Sequence, residues 1–152
     1  MLDDPTLGLD AVARRGLYRE LVGELADRGT TVFLTTHDLA GVEGIADQIG
    51  VLHGGSLLVD EKLDVLKARY CRLVWTPNDE IPPERIEAGL QHLGPIGKGV
   101  AKGASEAVVE NFTESGFDRF RQEAPVDVMR VDPLSLEDIF IALCGVEPGG
   151  RS

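Results

Sequence analysis

Three carboxylates and one imidazole carry the first chemical signal. The stretch MLDDPTLGLD places Asp3, Asp4 and Asp10 within ten residues, and TTHD further on supplies His37. A strand ending at Asp3 sets that carboxylate at the carboxyl edge of a sheet, where α/β proteins bind ligands. A hard oxygen donor there suits Mg²⁺, which takes one or two carboxylates together with phosphate oxygens and water. The adjacent Asp4 can orient or deprotonate a water. A histidine closing the neighbouring strand can donate a hydrogen bond to a phosphate oxygen. Asp3, Asp4 and His37 thus outline half of a phosphoryl-transfer site. Singly, each has a plainer reading: an exposed acidic pair, a helix cap at Asp10, and a structural residue at the end of a strand.

The elements that would hold these residues follow from periodicity. Leu17, Leu21 and Leu25 recur every four residues, with Tyr18 and Val22 beside them, which predicts an amphipathic helix from Ala11 to about Arg28. Asp10 can cap its start and Gly29 its end. TTVFLTT, residues 30–36, is β-branched and apolar without alternation, the pattern of a strand buried on both faces. Asp38 can cap a short helix through Ala46, and IGVLHGGSLLVDE reads as a hairpin turning at Gly54-Gly55. KLDVLKARY completes this part as a short helix. A doubly buried strand belongs to a sheet with helices on both faces, yet so few strands cannot bury such a sheet. The N-terminal side therefore reads as unfinished.

From Cys71 the pattern changes to β-α-β-β-α-β, a split βαβ arrangement. Its strands are CRLVWT, IGKGVAKG, EAVVENF and VDVMRVD, and its helices are Glu84 to Leu93 and GFDRFRQEA. A last helix, SLEDIFIALC, has Ser135 as cap and Asp138 at the capping-box spacing. Its apolar stripe (Leu136, Ile139, Phe140, Leu143) and the aromatics Phe112, Phe117 and Phe120 are expected to be core. The expected fold class is α/β: a partial P-loop NTPase-type sheet with flanking helices, then a small α+β split βαβ-like unit. The expected boundaries are 1–69, 70–145 and a flexible tail, 146–152.

Composition narrows the partners. Across 152 residues the net charge is −11, which opposes nonspecific nucleic-acid binding and adhesion to an anionic membrane. Cys71 and Cys144 form no CxxC pair and are expected to be free thiols. These features point to a cytoplasmic protein.

Together, LDDPTLGLD, LVGELADRGTTVFLTTHDL and ADQIGVLHGGSLLVDE resemble the C-terminal half of an ABC transporter ATP-binding subunit, over about residues 1 to 68. The resemblance implies that LDD closes a Walker B motif, that Gly8, Leu9 and Asp10 form the D-loop meeting a second ATP-binding subunit, and that TTHD is the H-loop. It further implies that Asp3 helps hold Mg²⁺, Asp4 polarises the attacking water, and His37 touches the γ-phosphate of ATP. Transporter membrane subunits are the other implied partners, placing the chain at the inner face of the cell membrane. PLSLEDIFIAL resembles the closing helix of exporter-type members of the family.

Two departures qualify this. The family carries Glu where Asp4 stands; Asp is shorter by one methylene, ~1.5 Å of reach, so slow hydrolysis is expected. The phosphate-cradling G-x-x-x-x-G-K-[ST] loop is absent: at the one Gly-Lys pair, Gly97-Lys98, His92 and Gly99 stand at the other motif positions. The signature motif is also missing. The chain therefore reads as the C-terminal part of a longer protein, inactive alone. A noncatalytic regulatory or interaction module derived from such an ATPase is the alternative. A self-sufficient metal-dependent hydrolase is disfavoured, because two carboxylates and one His without HxxxH or ExxH spacing make a poor cage.

Overall fold

A computed structural model of the chain describes residues 1–5, 7–26, 29–101 and 104–145. The elements in order are β1 (Leu2–Asp3), α1 (Ala11–Ala26), β2 (Leu34–Thr35), α2 (Leu39–Val42), β3 (Gln48–His53), β4 (Ser56–Lys62) and α3 (Leu63–Arg69). There follow β5 (Cys71–Trp75), α4 (Pro83–Gln91), β6 (Pro95–Ala101), β7 (Ala104–Val109), α5 (Glu114–Glu123), β8 (Val128–Pro133) and α6 (Leu136–Cys144). The class is α/β with small sheets and helices, compatible with part of a P-loop NTPase. The expected tail at 146–152 and the last residues of the expected first helix lie outside the described residues.

The chain packs as two compact units, Met1–Gln48 and Ile49 onward. In the first, β1 and β2 pair in parallel, Leu2 opposite Leu34 and Asp3 opposite Thr35. Parallel strands normally lie inside larger covered sheets. The expectation that residues 30–36 form a strand buried on both faces is corrected here. Only Leu34–Thr35 is strand, and Phe33 is 62 % exposed. Among the described residues β1 is its sole strand neighbour, so burial on two faces has no source. Among the described residues, Tyr18 and Val42 are the buried hydrophobic residues of this unit.

The second unit starts with the expected hairpin. Gly54 (φ 56°) and Gly55 (φ 81°) both take positive φ, the requirement of a two-residue I′ turn. Beyond it, β6-β7-β5-β8 form a four-stranded sheet whose neighbours all run antiparallel. Cys71, Leu73 and Trp75 of β5 point into a core completed by Leu90, Leu93, Val109 and Phe120. Trp75 meets Phe120 edge-on at 6.1 Å, and Phe112 and Phe117 pack against the same core, as their sequence positions suggested. Helices α4 and α5 cross closely because Gly89 has no side chain; a Cβ there would come within 2.9 Å of the Phe120 ring. Ser135 caps α6 by accepting from the Asp138 N–H at 3.1 Å, and its hydroxyl donates to the Asp138 carboxylate at 2.8 Å.

The hairpin and α3 fall in the second unit, so the packing division lies earlier than the motif-based boundary at 69. Arg69 explains why. Its Nε and Nη2 donate to Glu61 at 3.1 and 2.5 Å, and its Nη1 donates to the Glu110 carbonyl at 3.2 Å. The Phe112 N–H returns a bond to the Arg69 carbonyl at 2.9 Å. One guanidinium therefore ties β4 and α3 to the end of β7. The Glu61 hydrogen bond holds that guanidinium above its ordinary pKa.

Candidate functional site

The parallel register of β1 and β2 puts Asp3 and the TTHD segment at adjoining strand ends. The Leu2 N–H donates to the Phe33 carbonyl and the Asp4 N–H to the Thr35 carbonyl, both at 2.8 Å. This ladder fixes Asp3 beside Thr35, whose hydroxyl donates to Asp3 Oδ1. The carboxylate is oriented by that bond and is otherwise exposed. Thr35 is a contributor the sequence reading missed; its signal is the register partner of Asp3, which a single sequence does not display.

Asp4 departs from the strand with φ at 38°, a region that Asp and Asn tolerate better than most side chains. This bend turns its carboxylate toward the second strand. His37 Nδ1 lies 2.8 Å from Asp4 Oδ2, with the imidazole 76 % exposed and the carboxylate mostly covered. The structure thus brings Asp4 and His37 into direct contact and sets Asp3 next to them in sequence and sheet. With Asp4 on Nδ1, a neutral imidazole keeps its proton there and presents Nε2 as an acceptor. Only the doubly protonated ring can hold Asp4 and also donate from Nε2 to a phosphate oxygen.

The segment after the bend follows local rules. The Leu7 N–H donates to the Asp4 carbonyl at 3.1 Å, closing a turn. Gly8 takes φ 82°, which glycine adopts without penalty. Asp10 Oδ1 accepts from the Val12 and Ala13 N–H groups at 2.9 and 2.8 Å, so it caps α1. Leu7 is 76 % exposed and Leu9 is also exposed, so Gly8, Leu9 and Asp10 stand on an open surface of their unit.

The donor set at β1 fits a hard divalent cation in part: two adjacent carboxylates, one of them pre-oriented by a hydroxyl. Among the described residues no group of three His, Cys, Asp or Glu side chains stands ready to hold a metal ion unaided.

Comparison with known proteins adds an independent line. The chain is 29 % identical over 145 residues to the ABC transporter ATP-binding protein YtrB of Bacillus subtilis, covering 95 % of this chain and 48 % of the relative. It is 29 % identical over 163 residues to the bacitracin transport ATP-binding protein BcrA of Bacillus licheniformis, again covering 95 % and 48 %. Over 57 residues, 38 % of this chain and 11 % of the relative, it is 42 % identical to the ribose import ATP-binding protein RbsA of Lactococcus lactis. The match falls on the C-terminal part of these longer sequences. The chain spans about half the length of the first two relatives. No family model matches the sequence.

Proposed function

From its likeness to the C-terminal part of ABC transporter ATP-binding proteins, we propose that the chain contributes the Walker B, D-loop and H-loop half of an ATPase that couples ATP hydrolysis to transport. Residues 1–69 are read as part of the nucleotide-binding domain. Residues 70–145 are read as an accessory α+β unit, whose β-α-β-β-α-β order and β6-β7-β5-β8 sheet support a split βαβ assignment.

In this reading Asp3 holds Mg²⁺, which when bound neutralises phosphate charge. Asp4 orients the attacking water and receives the Nδ1–H of His37. His37 meets the γ-phosphate through Nε2. Gly8, Leu9 and Asp10 face a second ATP-binding subunit, and transporter membrane subunits complete the assembly at the inner face of the membrane. Among the described residues no helix is long and apolar enough to cross a membrane. Without the G-x-x-x-x-G-K-[ST] loop in this sequence, these 152 residues bind nucleotide weakly and do not turn it over by themselves.

The observation that carries the proposal is the 2.8 Å Asp4–His37 contact between the ends of two parallel strands. The test places the site in a subunit that supplies the phosphate loop. Asp4→Asn and His37→Ala should each lower ATP turnover by about 10² or more. Unchanged turnover in both variants would refute the assignment. The second reading, a noncatalytic module, draws on the fuller core of the unit from Ile49 onward. It is favoured if residues 70–145 bind their partner with Asp4 and His37 both replaced and no nucleotide present.

A further inference from the structure

We propose that Arg14 and Tyr18 of α1 are positioning residues for His37, linking the imidazole to the helix that begins at Asp10. Arg14 and Tyr18 are one turn apart and share a helix face. The residues on either side of His37 are the ones they reach. Arg14 Nη1 lies 3.5 Å from Asp38 Oδ2. The Tyr18 hydroxyl lies 3.5 Å from Thr36 Oγ1, which in turn accepts the Asp38 N–H at 3.0 Å. Asp38 Oδ1 accepts the Gly41 N–H at 3.1 Å and so starts α2. Arg14 thus pairs with Asp38 and the Tyr18 hydroxyl sits beside Thr36, while the imidazole between them stays 76 % exposed. Packing does not hold a ring that open; its place is set by the Asp4 contact and by the backbone of its two neighbours.

Two further observations show that the arrangement is built in. Tyr18 is only 2 % exposed, although it sits in a unit with little core. Arg14 Nε is buried with no hydrogen-bond partner, a cost that an incidental surface pair would not carry. Asp10 caps the same helix one turn before Arg14. A helix transmits displacement along its axis, so movement of Gly8, Leu9 and Asp10 reaches Thr36 and Asp38 through Arg14 and Tyr18. A partner pressing on the open Gly8–Asp10 surface would thereby shift His37. This consequence rests on the ATPase reading above; the positioning role does not.

The experiment reads the His37 ring directly. Imidazole nitrogen NMR of the full chain, read on the neutral ring, should show the Nδ1–H form imposed by Asp4. Arg14→Ala and Tyr18→Phe should each lose that form in favour of Nε2–H, and Arg14→Lys should recover it. Helix content by circular dichroism serves as the folding control, and Tyr18→Phe, which keeps the ring, decides the matter if Arg14→Ala fails to fold. An unchanged His37 tautomer in Tyr18→Phe and in any folded Arg14→Ala overturns the proposal, as does a failure of Arg14→Lys to restore a lost form. Addition of Mg²⁺ and ATP separates the two readings: a silent His37 counts against the ATPase assignment and leaves the tautomer result standing.

Discussion

At the scale of single residues, the strand-end carboxylates and the imidazole were readable because their types and order are local facts. What a sequence cannot display is that Asp4 leaves its strand with positive φ and bonds His37 directly. Cys71 offers a separate test at this scale. It is 5 % exposed, and burial pushes its thiol up to about 12. Burial, ahead of any other cause, also raises Tyr70 next to it. Both groups stay neutral in the folded chain at pH values where the unfolded chain ionises. The unfolded state then binds fewer protons, so stability is full below about pH 8 and falls as pH rises toward 12. For Cys71 the slope should reach about 1.4 kcal/mol per pH unit, measured by urea denaturation from pH 8 to 11. At pH 8, an alkylating reagent should leave Cys71 unmodified until the chain is unfolded.

At the scale of elements, the hairpin follows the turn residues of the sequence, and helices among the described residues fall where periodicity sets them, although α2 stops at Val42 short of the expected Ala46. The hairpin is legible because two adjacent glycines specify its turn. β2 is the instructive miss. The apolar run of residues 30–36 encodes a doubly buried strand, but burial comes from neighbouring elements, and the run itself does not provide them. The α1–α2 packing was likewise hidden, because it depends on Gly41. A Cβ at Gly41 would stand 2.6 Å from the Tyr18 ring and overlap the Asp38 carboxylate. Gly41→Ala should therefore destabilise the first unit by about 1–3 kcal/mol, the usual cost of overpacking, seen as a lower denaturation midpoint.

For the whole molecule, the division after Gln48 has a thermodynamic consequence. The first unit buries two hydrophobic residues among those described and leaves Phe33 largely in water. The second holds a continuous core with Leu73, Leu90, Leu93, Val109 and Phe120 at zero exposure. Hydrogen exchange should show β1, β2 and α1 opening well before β5 and β7. Arg69→Met should loosen the hairpin and α3 without opening the four-stranded sheet, lowering stability by about 1–3 kcal/mol, because it removes charge-assisted bonds to Glu61 and a bond to the Glu110 carbonyl. Equal exchange rates across both units would contradict the division. The sequence reading set its boundary at 69 by motif; the earlier packing boundary depends on what Arg69 touches, and that is a tertiary fact.

The central claim is that Asp3, Asp4 and His37 form half of an ATP site. Titrating Mg²⁺ and ATP into the chain while following backbone amides tests it most directly. Weak binding is expected, with a dissociation constant on the order of 1 mM, shifts confined to the β1 and β2 ends, and their loss in Asp3→Asn. Tight binding by these 152 residues, or shifts centred elsewhere in the molecule, would contradict it.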